Sequence, residues 1–508
     1  MIRRLKWILI AAEAWGWRRK GRWALAMLFA LAAGLSRFSN PVAFGGPAAG
    51  CPAAASAATG TLFSRSYSGS ENVGRFLRAV VPAPDGGFWL VGPTSIIVGS
   101  NSNIYVLKID ASGNLLWSRT YGGSRDDWAS SVLATPDGGL LLVGGTKSFG
   151  AGGTEDIYLL RLNAAGDVVW SRTYGGSDTD ESAGAIPTSD GGLLLAGSIE
   201  PASPELADSD TLLVKLDASG NIQWGRRYNL YECNPYSYTI CEGAGPVVQT
   251  SDGNFVIMEN YFYTDYRTGE THSYSFLLKV DSSGDVLNFW GLTDEVAKFW
   301  LNDLLVTADG GVLIWGSTAT GRLLARLDAS GTATWKRGYS FPQDSGASVI
   351  GKTPDGGFLL LGSTFLTGPE SGYAVKISGT GDVQWARAYP IAGLSYSTWF
   401  GRLALTSDNG FLMGGGNLWP DAATGRNYYA LYAVRTDAAG NSCNSRTVEA
   451  PTPDDEPSFT ISASSLVPET SSVSLTVGTP DTPSADVATQ LAGLCRYVLY
   501  LPMVVKTP

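Results

Sequence analysis

Asn114–Gly123 (NLLWSRTYGG) and Asp167–Gly176 (DVVWSRTYGG) repeat one another almost letter for letter. The same holds for Pro136–Gly144 (PDGGLLLVG) and Ser189–Gly197 (SDGGLLLAG). Self-similarity at a regular period marks a repeat architecture, in which each repeat is one supersecondary unit. The fold is therefore decided by the number and the content of these repeats.

Three landmarks recur in a fixed order along the chain. The first is a turn of Asp-Gly-Gly type, whose Asp residues are Asp85, Asp137, Asp190, Asp252, Asp309, Asp355 and Asp408. Two of these turns depart from the pattern, with Asn254 and Asn409 in place of a Gly. The second is a basic residue near a strand end, at Lys108, Arg161, Lys215, Lys279, Arg326, Lys376 and Arg435. The third is an aromatic residue in an apolar strand, at Phe63, Trp117, Trp170, Trp224, Trp335 and Trp385, and Asn288 stands where one more is expected.

The period of the repeat predicts its content. Asp85 and Asp137 lie 52 residues apart, and Asp137 and Asp190 lie 53 apart, which is room for four short strands and their turns. Asp and Gly in these turns favour tight hairpins, and helical periodicity is absent from the sequence after residue 58. Four-stranded units repeated radially form a β-propeller. We therefore predict an all-β fold, a seven-bladed β-propeller of four-stranded blades with a small β-rich C-terminal tail.

The chain enters the repeat in the middle of a unit. Leu62–Tyr67 resembles the fourth strand of a blade, and the last set of three strands, near 402–437, lacks a good fourth strand. We expect the N-terminal strand to complete the last blade and close the ring, which also removes an open sheet edge. Asn444–Thr447 is the rival for this position, because it matches the same strand with Asn in place of Trp.

Residues 60–447 resemble the secreted bacterial β-propeller repeat proteins that carry W-x-x-T-Y-G-G and D-G-G repeats. The hairpin of Tyr158–Leu162 and Gly166–Trp170 is also similar to the tryptophan-docking repeat of quinoprotein dehydrogenases. The resemblance implies export and a propeller, and it implies no particular activity. The adjacent Cys pair that quinoprotein dehydrogenases often carry is missing from this sequence.

Charge is unevenly distributed along the 508 residues, whose net charge is −10. The basic residues before the apolar run Ala24–Leu35 fit a signal peptide, and an uncleaved N-terminal anchor is the alternative. We expect three parts: signal peptide and disordered spacer (1–58), seven-bladed propeller (59–448), and linker with C-terminal β tail (449–508). The acidic body argues against nucleic acid as a partner. The expected location is secreted or on the bacterial cell surface, with contact to the membrane only through the signal peptide or anchor.

Residues of the right type for catalysis are scarce. His272 is the single histidine, and no known nucleophile or phosphate-binding motif occurs in the chain. The repeated Trp and turn Asp residues are interpreted as blade packing and turn formation. Asp178–Glu181 is acidic enough to suggest Ca²⁺, but a solvated loop is the preferred interpretation. We predict no catalytic residue, metal or cofactor.

Long, variable connections are the better candidates for binding, because function concentrates on loops held by a rigid scaffold. The connections between strands A and B and between C and D are short, whereas those between D and A and between B and C vary widely. We call the side of the second class the variable-loop face and the opposite side the hairpin-turn face. The aromatic residues in the insertions of the variable-loop face suggest a ligand patch of Tyr236, Tyr261, Tyr263, Tyr266 and Trp419. The alternative is that the two tyrosine-rich insertions pack on each other.

Export permits disulfides. Cys233 and Cys241 are candidates for a local pair, and Cys443 and Cys495 for a pair that ties the tail to the last repeat. In the tail, Ser458–Ser462, Ser472–Val477 and Arg496–Val505 are strand-like. They form either a small appendage or strands docked on the propeller, and a surface-retention role is a hypothesis.

These features favour a non-enzymatic role. We expect a monomeric, exported binding or scaffold module, with a protein or glycan ligand on the variable-loop face. The alternatives are a propeller enzyme, acting on glycans or as a quinoprotein-like dehydrogenase, and a purely structural envelope protein. Convergent acids with an Arg or Tyr at the ring centre favour the enzyme, and an apolar or Ser/Thr-lined channel favours the binding module.

Overall fold

The computed structural model is built from strands. It describes residues 61–69, 77–94, 101–150, 154–176, 178–200, 209–229, 238–241, 244–264, 271–293, 300–307, 309–318, 321–341, 346–365, 370–390, 398–420, 427–448, 452–454, 460–463, 469–472, 476–478, 484–486 and 498–501. Within these ranges there is no helix, and hence none with the length and hydrophobicity of a membrane span. The predicted signal peptide and spacer lies outside them.

Seven antiparallel sheets form the blades, each numbered here from its innermost strand outward. Blade 1 comprises β2 (Ala79–Pro82), β3 (Phe88–Pro93), β4 (Ile104–Ile109) and β5 (Leu115–Tyr121). Blade 2 comprises β6 (Asp127–Ala134), β7 (Leu140–Thr146), β8 (Asp156–Leu162) and β9 (Val168–Gly175). Blade 3 comprises β10 (Thr179–Pro187), β11 (Leu193–Glu200), β12 (Asp210–Leu216) and β13 (Ile222–Asn229). Blade 4 comprises β14 (Tyr238–Cys241) and β15 (Val247–Gln249), which both pair with β16 (Phe255–Thr264), then β17 (Thr271–Val280) and β18 (Val286–Thr293).

The remaining blades follow the same order. Blade 5 comprises β19 (Trp300–Val306), β20 (Val312–Ser317), β21 (Arg322–Leu327) and β22 (Ala333–Ser340). Blade 6 comprises β23 (Gly346–Lys352), β24 (Phe358–Thr364), β25 (Ser371–Ile377) and β26 (Val383–Tyr389). Blade 7 comprises β27 (Thr398–Leu405), β28 (Phe411–Pro420), β29 (Asn427–Thr436) and β1 (Phe63–Gly69). The seven-bladed propeller is thus confirmed.

The N-terminal strand closes the ring. β1 pairs antiparallel with β29, with Phe63 opposite Arg435. Each innermost strand contacts the next, and β27 contacts β2. The rival segment, Arg446–Thr447, forms β30 and pairs with β26 of blade 6. Closure by the N-terminal strand is therefore confirmed.

The hydrophobic core is a ring of clusters between blades. One cluster joins Leu412 and Leu431 of blade 7 to Leu90 and Leu107 of blade 1, and six further clusters join the other pairs of neighbouring blades. Both faces of each middle strand are buried, which explains runs such as Leu140–Val143 in place of strict alternation.

The hairpin turns depend on one residue with positive φ. Gly138 has φ 83°, and the corresponding residue of the seventh turn is Asn409 with φ 61°. Asn tolerates this left-handed conformation better than most residues. The departure of the seventh turn from the Gly pattern is therefore accommodated by the same backbone geometry.

The chain from Arg446 onward supplies an outer strand to every blade. Running from blade 6 backwards to blade 1 and then to blade 7, its strands are β30 (Arg446–Thr447), β31 (Thr452–Asp454), β32 (Thr460–Ala463), β33 (Glu469–Ser472), β34 (Thr476–Gly478), β35 (Ser484–Asp486) and β36 (Val498–Leu501). The first six pair antiparallel with the fourth strand of a blade, and β36 pairs parallel with β1. We call these seven strands the outer belt. The β-rich tail is thus docked on the propeller.

Candidate functional site

The turn Asp residues belong to a ring of ion pairs on the hairpin-turn face. Each binds the basic residue that is next to last in the third strand of its own blade. The pairs are Asp85–Lys108, Asp137–Arg161, Asp190–Lys215, Asp252–Lys279, Asp309–Arg326, Asp355–Lys376 and Asp408–Arg435. The Thr135 hydroxyl and Arg161 hold the pKa of Asp137 at about 2. These carboxylates are therefore engaged in the scaffold, as the sequence predicted.

Tyrosine hydroxyls link neighbouring blades through a hydrogen bond that we call the latch. The fourth-strand Tyr hydroxyl of one blade donates a hydrogen bond of 2.6 to 2.8 Å to a Gly carbonyl in a turn of the next blade. The pairs are Tyr67–Gly113, Tyr121–Gly166, Tyr174–Gly220, Tyr228–Gly284, Tyr339–Gly381 and Tyr389–Gly440. The repeated Trp packs on the same turn, so that a Cβ added to Gly166 would lie 2.4 Å from Trp117. The interpretation of the repeated Trp residues as packing between blades is confirmed.

Blade 4 departs from this latch. Leu292 occupies the Tyr position of β18, and Asn288 the Trp position. Trp290, two residues beyond Asn288, lies over the turn instead, 2.2 Å from a Cβ added to Gly331. The packing of the missing Trp is thus supplied from another position of the same strand.

The variable-loop face carries an extension of blade 4. β16 and β17 each have 10 residues, and β14 pairs with the end of β16, with Cys241 opposite Tyr261. Tyr261 lies opposite Tyr274, and Tyr263 opposite His272. Two of the predicted binding residues, Tyr261 and Tyr263, therefore lie two apart on one strand.

The other predicted binding residues are not joined to this extension by strand pairing. Trp419 lies in β28 opposite Tyr428, on a second 10-residue hairpin that extends blade 7, three blades away. Tyr236 and Tyr266 lie outside the described residues, so the five-residue patch stays a prediction.

The disulfide predictions are only partly within the described residues. Cys443 is disulfide-bonded. Its predicted partner, Cys495, lies outside the described ranges, as does Cys233, the predicted partner of Cys241. Both pairings therefore stay predictions.

Buried carboxylates lie between blades 2 and 3 on the variable-loop face. The Asp180 backbone amide donates to the Glu155 carbonyl at 2.8 Å. Asp180 is 0% exposed, and its Oδ2 accepts from the Gly176 amide at 3.0 Å. Burial raises the pKa of Asp180 to about 7, helped by repulsion from Asp156. The interpretation of this acidic loop as solvated is therefore wrong for Asp180, because its carboxyl is turned into the seam between blades.

Glu155 shares this seam. Its Oε2 lies 3.3 Å from Lys147 Nζ, and burial and then repulsion from Glu181 raise its pKa to about 7. A third buried carboxyl, Glu259, accepts a 2.8 Å hydrogen bond from Thr211 between blades 3 and 4, and burial raises its pKa to about 8. In the described part of the chain, no three His, Cys, Asp or Glu side chains are grouped to hold a metal ion. These carboxyls are thus poised to change charge near neutral pH.

A β-bulge recurs in the strands that surround the central channel. The residue that follows it lies six positions before the turn Asp and differs from blade to blade. It is Ser131, Gly184, Asp303, Val349 or Arg402. Bulges re-aim side chains and are frequent next to functional sites.

These bulge positions connect inner strands across the blade boundaries. The Ile350 amide of blade 6 donates to Asp303 Oδ2 at 3.4 Å, and Arg402 Nε donates to the Arg78 carbonyl of blade 1. Sequence reasoning overlooked Asp303, Arg402 and Arg78. For Asp303 and Arg402, the available signal was the variable position six residues before each turn Asp.

Comparisons with known proteins show no family. No protein-family model matches the chain. It is 22% identical over 429 residues to the regulatory protein FlaEY of Caulobacter vibrioides, a match that covers 77% of this chain and 40% of that protein. The chain therefore spans about 40% of the length of this relative.

Solved structures resemble the chain only distantly. They include a protein of unknown function from Bacteroides caccae, with 14% identity, a TM-score of 0.35, and coverage of 59% of this chain and 93% of that one. Sqt1 from Chaetomium thermophilum has 14% identity, a TM-score of 0.38, and coverage of 72% and 86%. Prolyl oligopeptidase B from Galerina marginata has 13% identity, a TM-score of 0.39, and coverage of 76% and 52%. Similarity at this level says nothing about what the chain binds or does.

Proposed function

We propose that the protein is an exported β-propeller that acts outside the membrane as a binding or scaffold module, with its ligand on the variable-loop face. The main support for this proposal is a difference between the two faces of the propeller. Recurring residues of the hairpin-turn face are engaged in ion pairs and interblade latches, as in Asp85–Lys108 and Tyr121–Gly166. The differences between blades concentrate on the other face, where β16–β17 and β28–β29 extend beyond their counterparts.

The bulge positions of the inner strands do not favour a glycan hydrolase. Positions that follow the bulge hold Ser131, Asp303, Val349 and Arg402, a mixture of small, acidic, apolar and basic side chains. Glycan hydrolysis requires two carboxyl groups that face each other across a bond, and these four positions supply one carboxyl, that of Asp303.

A thermal-shift screen of the purified protein tests the binding role. The panel holds polysaccharide fragments, peptidoglycan fragments, a quinone cofactor, Ca²⁺ and EDTA. We expect a saturable rise in Tm with a glycan, because a ligand that binds only the folded state stabilises it. No rise with any glycan leaves a protein partner or a purely structural role, and a rise with the quinone supports the dehydrogenase alternative.

Two variants locate the ligand. The double substitution Tyr261→Ala and Tyr263→Ala removes two aromatic side chains from the blade 4 extension and is expected to weaken glycan binding at least tenfold. Phe365→Ala is the matched control, because Phe365 is an aromatic residue, 47% exposed, that follows β24 on the same face but in blade 6. Equal affinity of the double variant and the wild type would place the ligand elsewhere.

Export is tested separately. Cell fractionation of the tagged full chain is expected to place it outside the membrane, with the N-terminal residues removed. Recovery of an uncleaved chain in the cytoplasm contradicts the exported role.

A further inference from the structure

Two guanidinium groups lie together on the inner strands of the blades that close the ring. Arg402 is in β27 of blade 7, and Arg78 directly precedes β2 of blade 1. Arg402 Nε donates to the Arg78 carbonyl, and its Nη1 donates to the Gly401 carbonyl at 2.6 Å. Arg402 is therefore fixed by backbone contacts, and the charge of Arg78 is close enough to repel it.

Among the described residues, no carboxylate forms an ion pair with either guanidinium. The Arg78 guanidinium makes no hydrogen bond or ion pair with any residue that the structure describes, although Arg78 is exposed toward solvent. Asp303 attracts Arg402, but the carboxylate of Asp303 accepts from the backbone amides of Leu304, at 2.9 Å, and Ile350. Burial, and then repulsion from Arg78, lower the pKa of Arg402.

Like charges held close together repel each other, which costs free energy unless an anion compensates them. This cost is unusual in a protein whose net charge is −10 and whose other recurring basic residues are paired with Asp. Guanidinium groups bind carboxylate, phosphate and sulfate through two parallel hydrogen bonds. The channel at blades 7 and 1 therefore has the chemistry of an anion site.

We propose that the central channel binds an anionic group of a small ligand between Arg78 and Arg402. The site is separate from the tyrosines of the blade 4 extension, so it goes beyond the proposed role of the variable-loop face. The carboxyl of Asp303 in blade 5, which attracts Arg402, disfavours a second negative charge and so restricts the site to one anionic group. The shared chemistry is an oxyanion, either a carboxylate or a tetrahedral phosphate or sulfate.

Calorimetric titration of the full chain tests this proposal. The probes are citrate, acetate, phosphate and sulfate at pH 7.5, each titrated at constant ionic strength with chloride as the reference. Saturable binding of one site per chain is expected for at least one probe. Binding of citrate or acetate alone assigns a carboxylate ligand, and binding of phosphate or sulfate alone assigns a tetrahedral one. No saturable binding of any probe overturns the proposal.

Variants separate the channel from the surface. Arg78→Gln is expected to weaken anion binding at least tenfold while leaving the Tm without anion unchanged or higher, because it removes an unbalanced charge. Arg125→Gln is the matched control, since it removes the same charge from an exposed loop on the variable-loop face. Equal weakening by both variants indicates nonspecific screening and overturns the proposal, as does unchanged binding in Arg78→Gln. Tyr261→Ala leaves anion binding unchanged, so that failure of the proposed glycan site is distinguishable from failure of this one.

Discussion

The hydroxyl of Tyr389 donates a 2.8 Å hydrogen bond to the backbone carbonyl of Gly440, which lies one blade further around the ring. Both groups are buried, and the pair belongs to the boundary between blade 6 and the blade that contains both ends of the propeller sequence. Because the same bond recurs at five other boundaries, it is a unit of interblade cohesion and can be tested at a single position.

Tyr389→Phe is expected to lower the free energy of unfolding by about 1 to 2 kcal/mol, because it leaves a buried carbonyl without its donor. The ring itself is retained, so the packing loss is small. Equilibrium denaturation with urea, followed by tryptophan fluorescence, measures the change. An unchanged midpoint with an unchanged slope would show that the latch contributes nothing to stability.

The ion pair of Arg435 and Asp408 differs from the other six because both side chains are buried, 5% and 8% exposed. Arg435 also donates to the Ala111 carbonyl of blade 1 at 2.6 Å, so the pair lies at the ring-closing boundary. Asp408→Asn leaves a buried guanidinium without its counter-ion and is expected to cost about 3 kcal/mol. Chemical denaturation measures the loss.

Asp309→Asn is the matched control for this prediction. Asp309 pairs with Arg326 in the corresponding turn of blade 5, but its side chain is 56% exposed. Asn keeps the acceptor for the turn hydroxyl at both positions. Since water screens the exposed pair, its loss is expected to be much smaller. Equal losses in the two variants would show that burial of the closing pair is irrelevant.

Most of the propeller was predictable from sequence because the repeat is dictated by local geometry. A turn that requires positive φ accepts few residues, and a latch that requires a Tyr and a Gly recurs at six of the seven boundaries between blades. The landmarks therefore appear at each repeat and count the blades. Even blade 4, with Leu292 in place of Tyr, keeps the turn and the ion pair of Asp252 and Lys279.

The candidate sites were harder to predict, for the opposite reason. Asp303 and Arg402 occupy a position that varies between repeats, so neither forms a motif. Asp180 looks like part of a solvated acidic loop, and only the fold turns its carboxyl into the boundary with blade 2. The outer belt was also beyond local reasoning, because strands of two to four residues take their partners from distant parts of the chain.

Stability is expected to fall as pH rises from about 5 to 8. Carboxyl groups have pKa values near 4 in the unfolded chain, and burial raises those of Asp180 and Glu155 to about 7 and that of Glu259 to about 8. The folded protein therefore keeps protons that the unfolded chain has released, and this advantage is lost as pH rises through 7 and 8. Thermal unfolding at constant ionic strength measures the slope.

Stability is also expected to fall at acidic pH, below about pH 4. Hydrogen bonds and ion pairs hold the pKa of Asp137 and Asp309 at about 2, so their contribution is lost as pH falls from about 4 toward 2. Maximum stability is thus expected near pH 5. Asp180→Asn removes one of the groups with a raised pKa and is expected to make the decline above pH 5 shallower. A stability that climbs steadily to pH 8 would contradict the burial of these carboxyls.

The outer belt predicts the consequence of removing the tail. Truncation after Val448 deletes β31 to β36 and leaves six fourth-strand edges unpaired, and such edges pair readily with other chains. We expect the truncated protein to unfold faster and to form oligomers, measured by unfolding kinetics and by size-exclusion chromatography with light scattering. Truncation after Asp486 is the control, because it keeps six belt strands and removes β36 alone among the described ones. A truncation at 448 that stays monomeric and equally stable, yet is no longer retained at the cell surface, would assign the tail to retention in place of protection of the blades.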